Sequence, residues 1–182
     1  MSRLAGPIRQ LGIIVRNLDQ EIDHWAKIGV GPFVVIPRVR FENYRYRGTA
    51  MTGPVCSLAV SYSGPLQIEI IEQHDTVHSA YTEYLALCGG GLQHVSAWTD
   101  SKEEYDLKLA QLCNSGLELV HEGNVEGYDL RFAYFAVPGV RTFPLYEISE
   151  ANLPSLRPLW AKLEAAVAAW DGTNPRRSMA EL

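Results

Sequence analysis

Gln10, Glu69, His94 and Glu147 are the side chains of this sequence best suited to chemistry. Each is a metal-ligating type and each sits in a short β-like run. The runs are Gln10-Leu11-Gly12-Ile13-Ile14-Val15, Ile68-Glu69-Ile70-Ile71-Glu72, His94-Val95-Ser96-Ala97-Trp98-Thr99 and Tyr146-Glu147-Ile148-Ser149-Glu150. The first and third runs look like copies of one another, and so do the second and fourth. His94 follows Gln10 by 84 residues and Glu147 follows Glu69 by 78, so the copies differ by six residues of insertion. A duplicated module with Gln and Glu in one half and His and Glu in the other implies one four-ligand site at the junction. A divalent ion held there would polarise a carbonyl or carboxyl oxygen, while a carboxylate moves the proton of the adjacent carbon.

Strand parity tests whether the four can meet. Side chains alternate faces, so Gln10 shares a face with Gly12 and Ile14, and Glu69 with Gln67 and Ile71. Leu11 and Ile13, like Ile68 and Ile70, are then left to pack under helices. His94 sits with Ser96 and Trp98. Glu147 points away from its core-suited neighbours Tyr146 and Ile148. All four polar positions thus fall on the concave face of one curved sheet. A carboxylate in an apolar strand is costly unless a charge or metal compensates it. By the same parity, Glu72 and Glu150 read as solvent-facing. His74, His78 and His121 read as exposed, and His24 and Trp25 as helix packing.

The elements that must position these residues recur in order. Residues 10–16 are β-branched and apolar, as in a buried strand. Asn17 and Gln20 have capping-box spacing, and Ile22, Trp25, Ala26 and Ile28 form a helical stripe ending at Gly29. Extended structure resumes at Gly31–Ile36. Residues 37–54 carry Arg38, Arg40, Arg45 and Arg47 among Phe41, Tyr44 and Tyr46, and read as a strand plus a long loop or lid. Cys56–Tyr62 and Leu66–Gln73 are strands around a Ser63-Gly64-Pro65 turn. A short helix near Tyr81, Tyr84 and Leu85 stops at Gly89-Gly90-Gly91. The order then repeats: strand Leu92–Trp98, a helix capped by Ser101 and Glu104, and strands Leu117–Glu122, Leu130–Val137 and Thr142–Ser149. Leu156, Leu159, Trp160, Leu163, Ala166, Val167 and Trp170 recur at helical spacing in the tail, whose last dozen residues read as frayed. The expectation is an α+β fold in residues 1–182: one βαβββ module at 8–73, a second at 92–150, and a C-terminal helix and tail at 151–182.

Composition excludes some partners. A net charge of -5 and a pI near 5.5 give no basic field for nucleic acid or an anionic membrane. No apolar run approaches the roughly 20 residues a membrane-spanning helix needs. Met1–Pro7 hold no apolar signal core, which reads as cytoplasmic. Cys56, Cys88 and Cys113 form no C-x-x-C and read as reduced, mostly buried thiols.

With the doubled βαβββ order, the opening Ile8–Asp19, the Gly90-Gly91-Leu92-Gln93-His94-Val95-Ser96 strand and the Tyr146-Glu147-Ile148 strand, residues 8–150 resemble the vicinal oxygen chelate superfamily. The Gly-Gly-Gly-Leu-x-His run looks like that of methylmalonyl-CoA epimerases. A Gln, Glu, His, Glu ligand set is one that glyoxalase I enzymes use. The resemblance implies a curved mixed sheet around a metal cleft. Gln10 and Glu69 match the ligands of the first module, His94 and Glu147 those of the second, and Glu147 and Glu69 would also serve as the catalytic carboxylates. Many relatives have His at the first position, so Gln10 is a departure, and it disfavours the two-His, one-carboxylate triad of iron dioxygenases. Ile14 stands where glyoxalase I would place a glutathione-contacting arginine. The second catalytic glutamate of the epimerases has no matched counterpart, the loop around Glu42 being longer.

One divalent ion per chain is implied, with zinc, manganese, cobalt, nickel and magnesium all open. The activity implied is that of a lyase or isomerase of the glyoxalase or methylmalonyl-CoA epimerase type, acting on a small carbonyl or acyl-thioester substrate. A non-catalytic protein of the same fold that binds a drug or hydrophobic ligand is the alternative. The arginines of residues 38–47 would suit a carboxylate or coenzyme A phosphates. The aromatic set Tyr44, Tyr46, Tyr62, Tyr134 and Trp98 would equally suit a planar compound. Modules of this type bury sheet surface against a second copy, which implies a homodimer.

Overall fold

The chain builds one mixed sheet of eleven strands, curved and unclosed, in a computed structural model that describes residues 6–139 and 143–182. In chain order the elements are β1 (Gln10–Val15), α1 (Leu18–Lys27), β2 (Phe33–Val39), β3 (Phe41–Tyr46), β4 (Thr49–Ala50), β5 (Cys56–Ser63), β6 (Leu66–Gln73) and α2 (Ala80–Cys88). There follow β7 (Gly91–Trp98), α3 (Lys102–Asn114), β8 (Glu118–Val125), β9 (Arg131–Ala136), β10 (Leu145–Ser149), α4 (Arg157–Ala168) and β11 (Arg176–Ser178). The expected strand start at Thr142 and the first residues of the chain lie outside the described residues.

Strand order is β11-β2-β5-β6-β1-β7-β10-β9-β8-β3-β4. Each half contributes one parallel pair, β1 with β6 and β7 with β10, and the halves meet at the antiparallel pair β1–β7. Helices α1 and α3 cover the outer face, one on each half. Ile13, Ile68 and Ile70 pack with Leu18 and Ile22 of α1, and Ala133, Phe135 and Ile148 with Tyr105 and Leu112 of α3. The apolar parity of the sequence is spent as expected. The start signals hold too: Asn17 Oδ1 accepts from the Gln20 N–H at 2.8 Å, and Ser101 Oγ from the Glu104 N–H at 3.1 Å.

Three expectations need correction. Residues 37–54 are not one strand with a long loop or lid: they hold the end of β2 and all of β3 and β4. The chain crosses the molecule there, and the β3–β4 hairpin lies on the far edge, pairing with β8 of the second half. The tail is not frayed: β11 pairs in parallel with β2, and Arg176 forms ion pairs with Asp19 and Asp23. Of the cysteines only Cys56 is buried, while Cys88 and Cys113 are exposed.

The tail helix docks on its own sheet. Leu163, fully buried, packs on Val34, Val60 and Tyr62, and Trp160 stacks on Trp98 with ring centres 6.0 Å apart. Complete burial of one such leucine is worth about 1.5–3 kcal/mol. The helix therefore stands against the inner face of the sheet, the face that carries the polar residues.

Candidate active site

Register explains how the four polar residues come together. Residues of adjacent strands that pair directly lie side by side on one face. One such row reads Tyr62, Gln67, Gln10, Ser96, Glu147, Tyr134, His121 across β5, β6, β1, β7, β10, β9 and β8. The next row reads Val60, Glu69, Gly12, His94, Leu145. Gln10 and Glu147 thus stand in one row, Glu69 and His94 in the other, and all four flank the seam between β1 and β7.

Gly12 makes room at the seam. A Cβ built there would lie 1.7 Å from Cε1 and 1.9 Å from Nε2 of His94, so the imidazole lies directly over the β1 backbone. In that seat His94 is wholly buried, with Nε2 3.5 Å from Glu69 Oε2 and 3.6 Å from Glu147 Oε2. Its orientation is fixed from behind. The register of β7 shifts between Gly12 and Ile13, which leaves Gln93 as an extra residue in a bulge. The bulge lets Gln93 Oε1 reach His94 Nδ1 at 2.8 Å, while Gln93 Nε2 donates to the Ala80 carbonyl at 3.5 Å. A carbonyl oxygen can only accept, so the hydrogen-bond network assigns Nδ1 the proton. Tyr134 OH lies 3.3 Å from Nε2, its ring edge-to-face with the imidazole.

The carboxylates are not equivalent. Glu69 is partly exposed, whereas Glu147 is almost fully buried and its Oε2 has no hydrogen-bond partner. Burial pushes the Glu147 carboxyl up to about 7, with His94 opposing, Glu69 reinforcing and a Ser96 hydrogen bond opposing. A buried carboxylate oxygen without a donor calls for a proton or a cation. Gln10 is anchored sideways: its Nε2 donates to Gln67 Oε1 at 2.7 Å, and Gln67 Nε2 to Tyr62 OH at 3.0 Å. Its own carbonyl oxygen is not spent on that chain.

Glu69, Glu147 and Gln10 border a cavity of about 90 Å³ whose other walls are mainly aliphatic and aromatic. The donor set suits a divalent cation: two carboxylates to balance its charge, an imidazole oriented by the Gln93 side-chain carbonyl, and an amide. Among the described residues no three His, Cys, Asp or Glu side chains are arranged as they stand to hold a metal ion.

Several expectations are corrected here. His121 is buried, not exposed. It stacks on Tyr134 at 4.1 Å, bonds Tyr44 OH at 3.1 Å, and burial together with His94 holds its pKa well below the usual value. Glu150 is fully buried rather than solvent-facing, bound by the Arg131 guanidinium at 2.6 and 3.0 Å. Glu72 is half-buried and caps α1 through the Leu18 N–H at 2.7 Å. Glu42 is exposed on β3 and does not border the cavity. Arg38, Arg40, Arg45 and Arg47 are all exposed, and Arg47 is committed to ion pairs with Glu83 and Glu118. Of the aromatic set only Tyr134 borders the cavity. Gln93 and Gln67 carry no sign of a functional role in the sequence, and Tyr134 reads there only as a pocket aromatic, not as a partner of His94. A bulge and cross-strand neighbours place them, and neither leaves a local signal.

Residues 9–135 match the family described as the Glyoxalase/Bleomycin resistance protein/Dioxygenase superfamily. The chain belongs to this superfamily. Its fold is that of two solved structures in particular. One is methylmalonyl-CoA epimerase from Mycobacterium tuberculosis, 17% identical with a TM-score of 0.53, covering 87% of this chain and 95% of that one. The other is a hypothetical protein from Bacillus halodurans C-125, 18% identical with a TM-score of 0.51, covering 79% and 92%. At these identities the likeness concerns fold alone. No curated protein matches the chain. Among the described residues no helix is long and apolar enough to cross a membrane.

Proposed function

We propose that this superfamily member is a metal-dependent isomerase or lyase that moves a proton α to a carbonyl group. The observation that carries the reading is the meeting of three acceptor groups in one buried place, His94 Nε2 facing Glu69 and Glu147 at 3.5 and 3.6 Å. Left alone, three such groups repel and desolvate one another, so the arrangement suits a cation. Gln10, Glu69, His94 and Glu147 would hold one divalent ion, which when bound would polarise the substrate's carbonyl oxygen.

The residues supply the rest. Gln93 keeps the His94 Nε2 aimed at Glu69 and Glu147. Glu147, with its carboxyl raised to about 7, is poised to accept and return a proton near neutral pH. Glu69, on the opposite strand pair, is the second carboxylate that an epimerase needs to serve the other side of the α-carbon. The apolar walls exclude water around the carbanion that forms. A homodimer, and a division into modules at 8–73 and 92–150 with a tail at 151–182, belong to the same reading.

The aliphatic walls of the cavity also suit a metal-free binding protein of the same fold. The two readings separate in one experiment. The metal-loaded protein should wash deuterium from D2O into the α position of a carbonyl compound, followed by NMR, and chelation should stop it. Tight ligand binding with no exchange, loaded or chelated, would favour the binding protein.

A further inference from the structure

The cavity beside the carboxylates has a composition that restricts what can enter. We infer that its ligand is a small, uncharged, largely apolar carbonyl compound, such as a cyclic or aryl ketone, and not a coenzyme A thioester or other polyanion. The inference rests on the site proposed above and names the substrate class for it.

Two observations carry it. First, no lysine or arginine is among the described residues that border the cavity, whereas two glutamates are. A divalent ion would balance those two carboxylates and leave no positive charge for a phosphate or a second carboxylate. The arginines of the β2–β3 region do not supply it. Val39 is buried in the cavity wall, while Arg38, at a positive φ in the irregular stretch of β2 between Ile36 and Val39, and Arg40, just past the strand, are both exposed and do not border the cavity. Arg47 is held by Glu83 and Glu118. An anion entering this space would lose its hydration without gaining a partner.

Second, the chain's own tail forms one apolar wall of the cavity. Leu156, Leu159 and Trp160 of α4 and its approach form part of the wall. The Trp160 ring is fixed by stacking on Trp98 and by its Nε1 donating to the Ala151 carbonyl at 2.6 Å. A long polar arm lying along this wall would meet hydrocarbon and no donor to replace its lost hydration. A compact ligand, with its carbonyl oxygen toward Gln10, Glu69 and Glu147 and its hydrocarbon body against α4, leaves that wall in place. Ligand pockets of this kind, apolar with a few convergent polar groups, are general for compact hydrophobic ligands.

The test uses the full chain loaded with one equivalent of zinc. 2-Methylcyclohexanone and propionyl-CoA are each titrated by tryptophan fluorescence, and each is incubated in D2O to follow α-hydrogen exchange by NMR. The ketone should bind at least tenfold more tightly. Leu159→Arg, which puts a cation in the cavity wall, should reverse that preference. Trp160→Ala, checked for a retained cooperative melt, should weaken the ketone and admit bulkier ones. Equal or tighter binding of propionyl-CoA overturns the inference, as does failure of both compounds to bind. Ketone binding that neither variant alters overturns it as well. Ketone binding without exchange supports the ligand class while refuting proton transfer. Exchange of propionyl-CoA alone does the reverse.

Discussion

Replacing Gly12 by alanine should evict the His94 imidazole, and the effect should vanish when that imidazole is absent. The added Cβ would stand 1.7, 1.9 and 2.2 Å from Cε1, Nε2 and Nδ1 of the ring. Ordinary carbon contacts are about 3.5–4.0 Å, so no small adjustment absorbs the overlap. The ring must turn out, losing its bond to Gln93 and its approach to Glu69 and Glu147. Overpacking costs about 1–3 kcal/mol and a lost hydrogen bond about 1, giving a destabilisation of about 2–4 kcal/mol. For a chain of this size that is a fall in Tm of about 4–16 °C. In a His94→Ala background the same methyl fills vacated space, and its cost should drop to within about 0.5 kcal/mol. Urea denaturation of the four proteins of the cycle, all metal-free, measures the difference directly. Equal destabilisation by Gly12→Ala in both backgrounds would refute the idea that this glycine exists to seat the imidazole.

Other outcomes follow from the same geometry. Glu147→Gln should lower α-hydrogen exchange by about 10²–10⁴-fold while retaining much of the metal affinity, since the amide keeps an oxygen ligand; exchange at the wild-type rate would locate the proton carrier elsewhere. In chelated protein, folding favours protonated Glu147, whose carboxyl rises from 4.5 to about 7. Its contribution is therefore complete below about pH 4.5 and lost as pH rises through about 7, on the order of 3 kcal/mol in all. Urea titrations from pH 4 to 8 should show this loss in the wild type and not in Glu147→Gln, and identical profiles would count against it. Native protein should expose two thiols, Cys88 and Cys113, to a thiol reagent, with Cys56 reacting only on unfolding; three fast thiols would contradict the burial of β5.

The four cleft residues were legible because strand parity is a local property. Gln10, Glu69, His94 and Glu147 each interrupt an apolar run, and the 84- and 78-residue offsets reveal the repeat that sets them across a seam. What the sequence hid was non-local. The β3–β4 hairpin has the aromatic alternation of a strand, yet nothing within it says that its partner is β8, some eighty residues away. Glu150 has the parity of a surface residue and is buried because Arg131, on β9, comes to meet it. His121 lies in the same polar row as Glu147, a fact that emerges only once β8, β9 and β10 are in register. Gln93 escapes the alternation rule because the bulge adds one residue to β7.

Isothermal titration of the metal-free chain with a divalent ion, compared with His94→Ala, tests the account most directly. Wild-type protein should bind one equivalent and release protons as it does so, because the raised carboxyl of Glu147, one of the proposed ligands, must give up its proton. His94→Ala should lose the binding while retaining a cooperative melt. A wild-type chain that binds no divalent ion, or a His94→Ala chain that binds one as tightly, would contradict the claim that these acceptor groups converge to hold a metal.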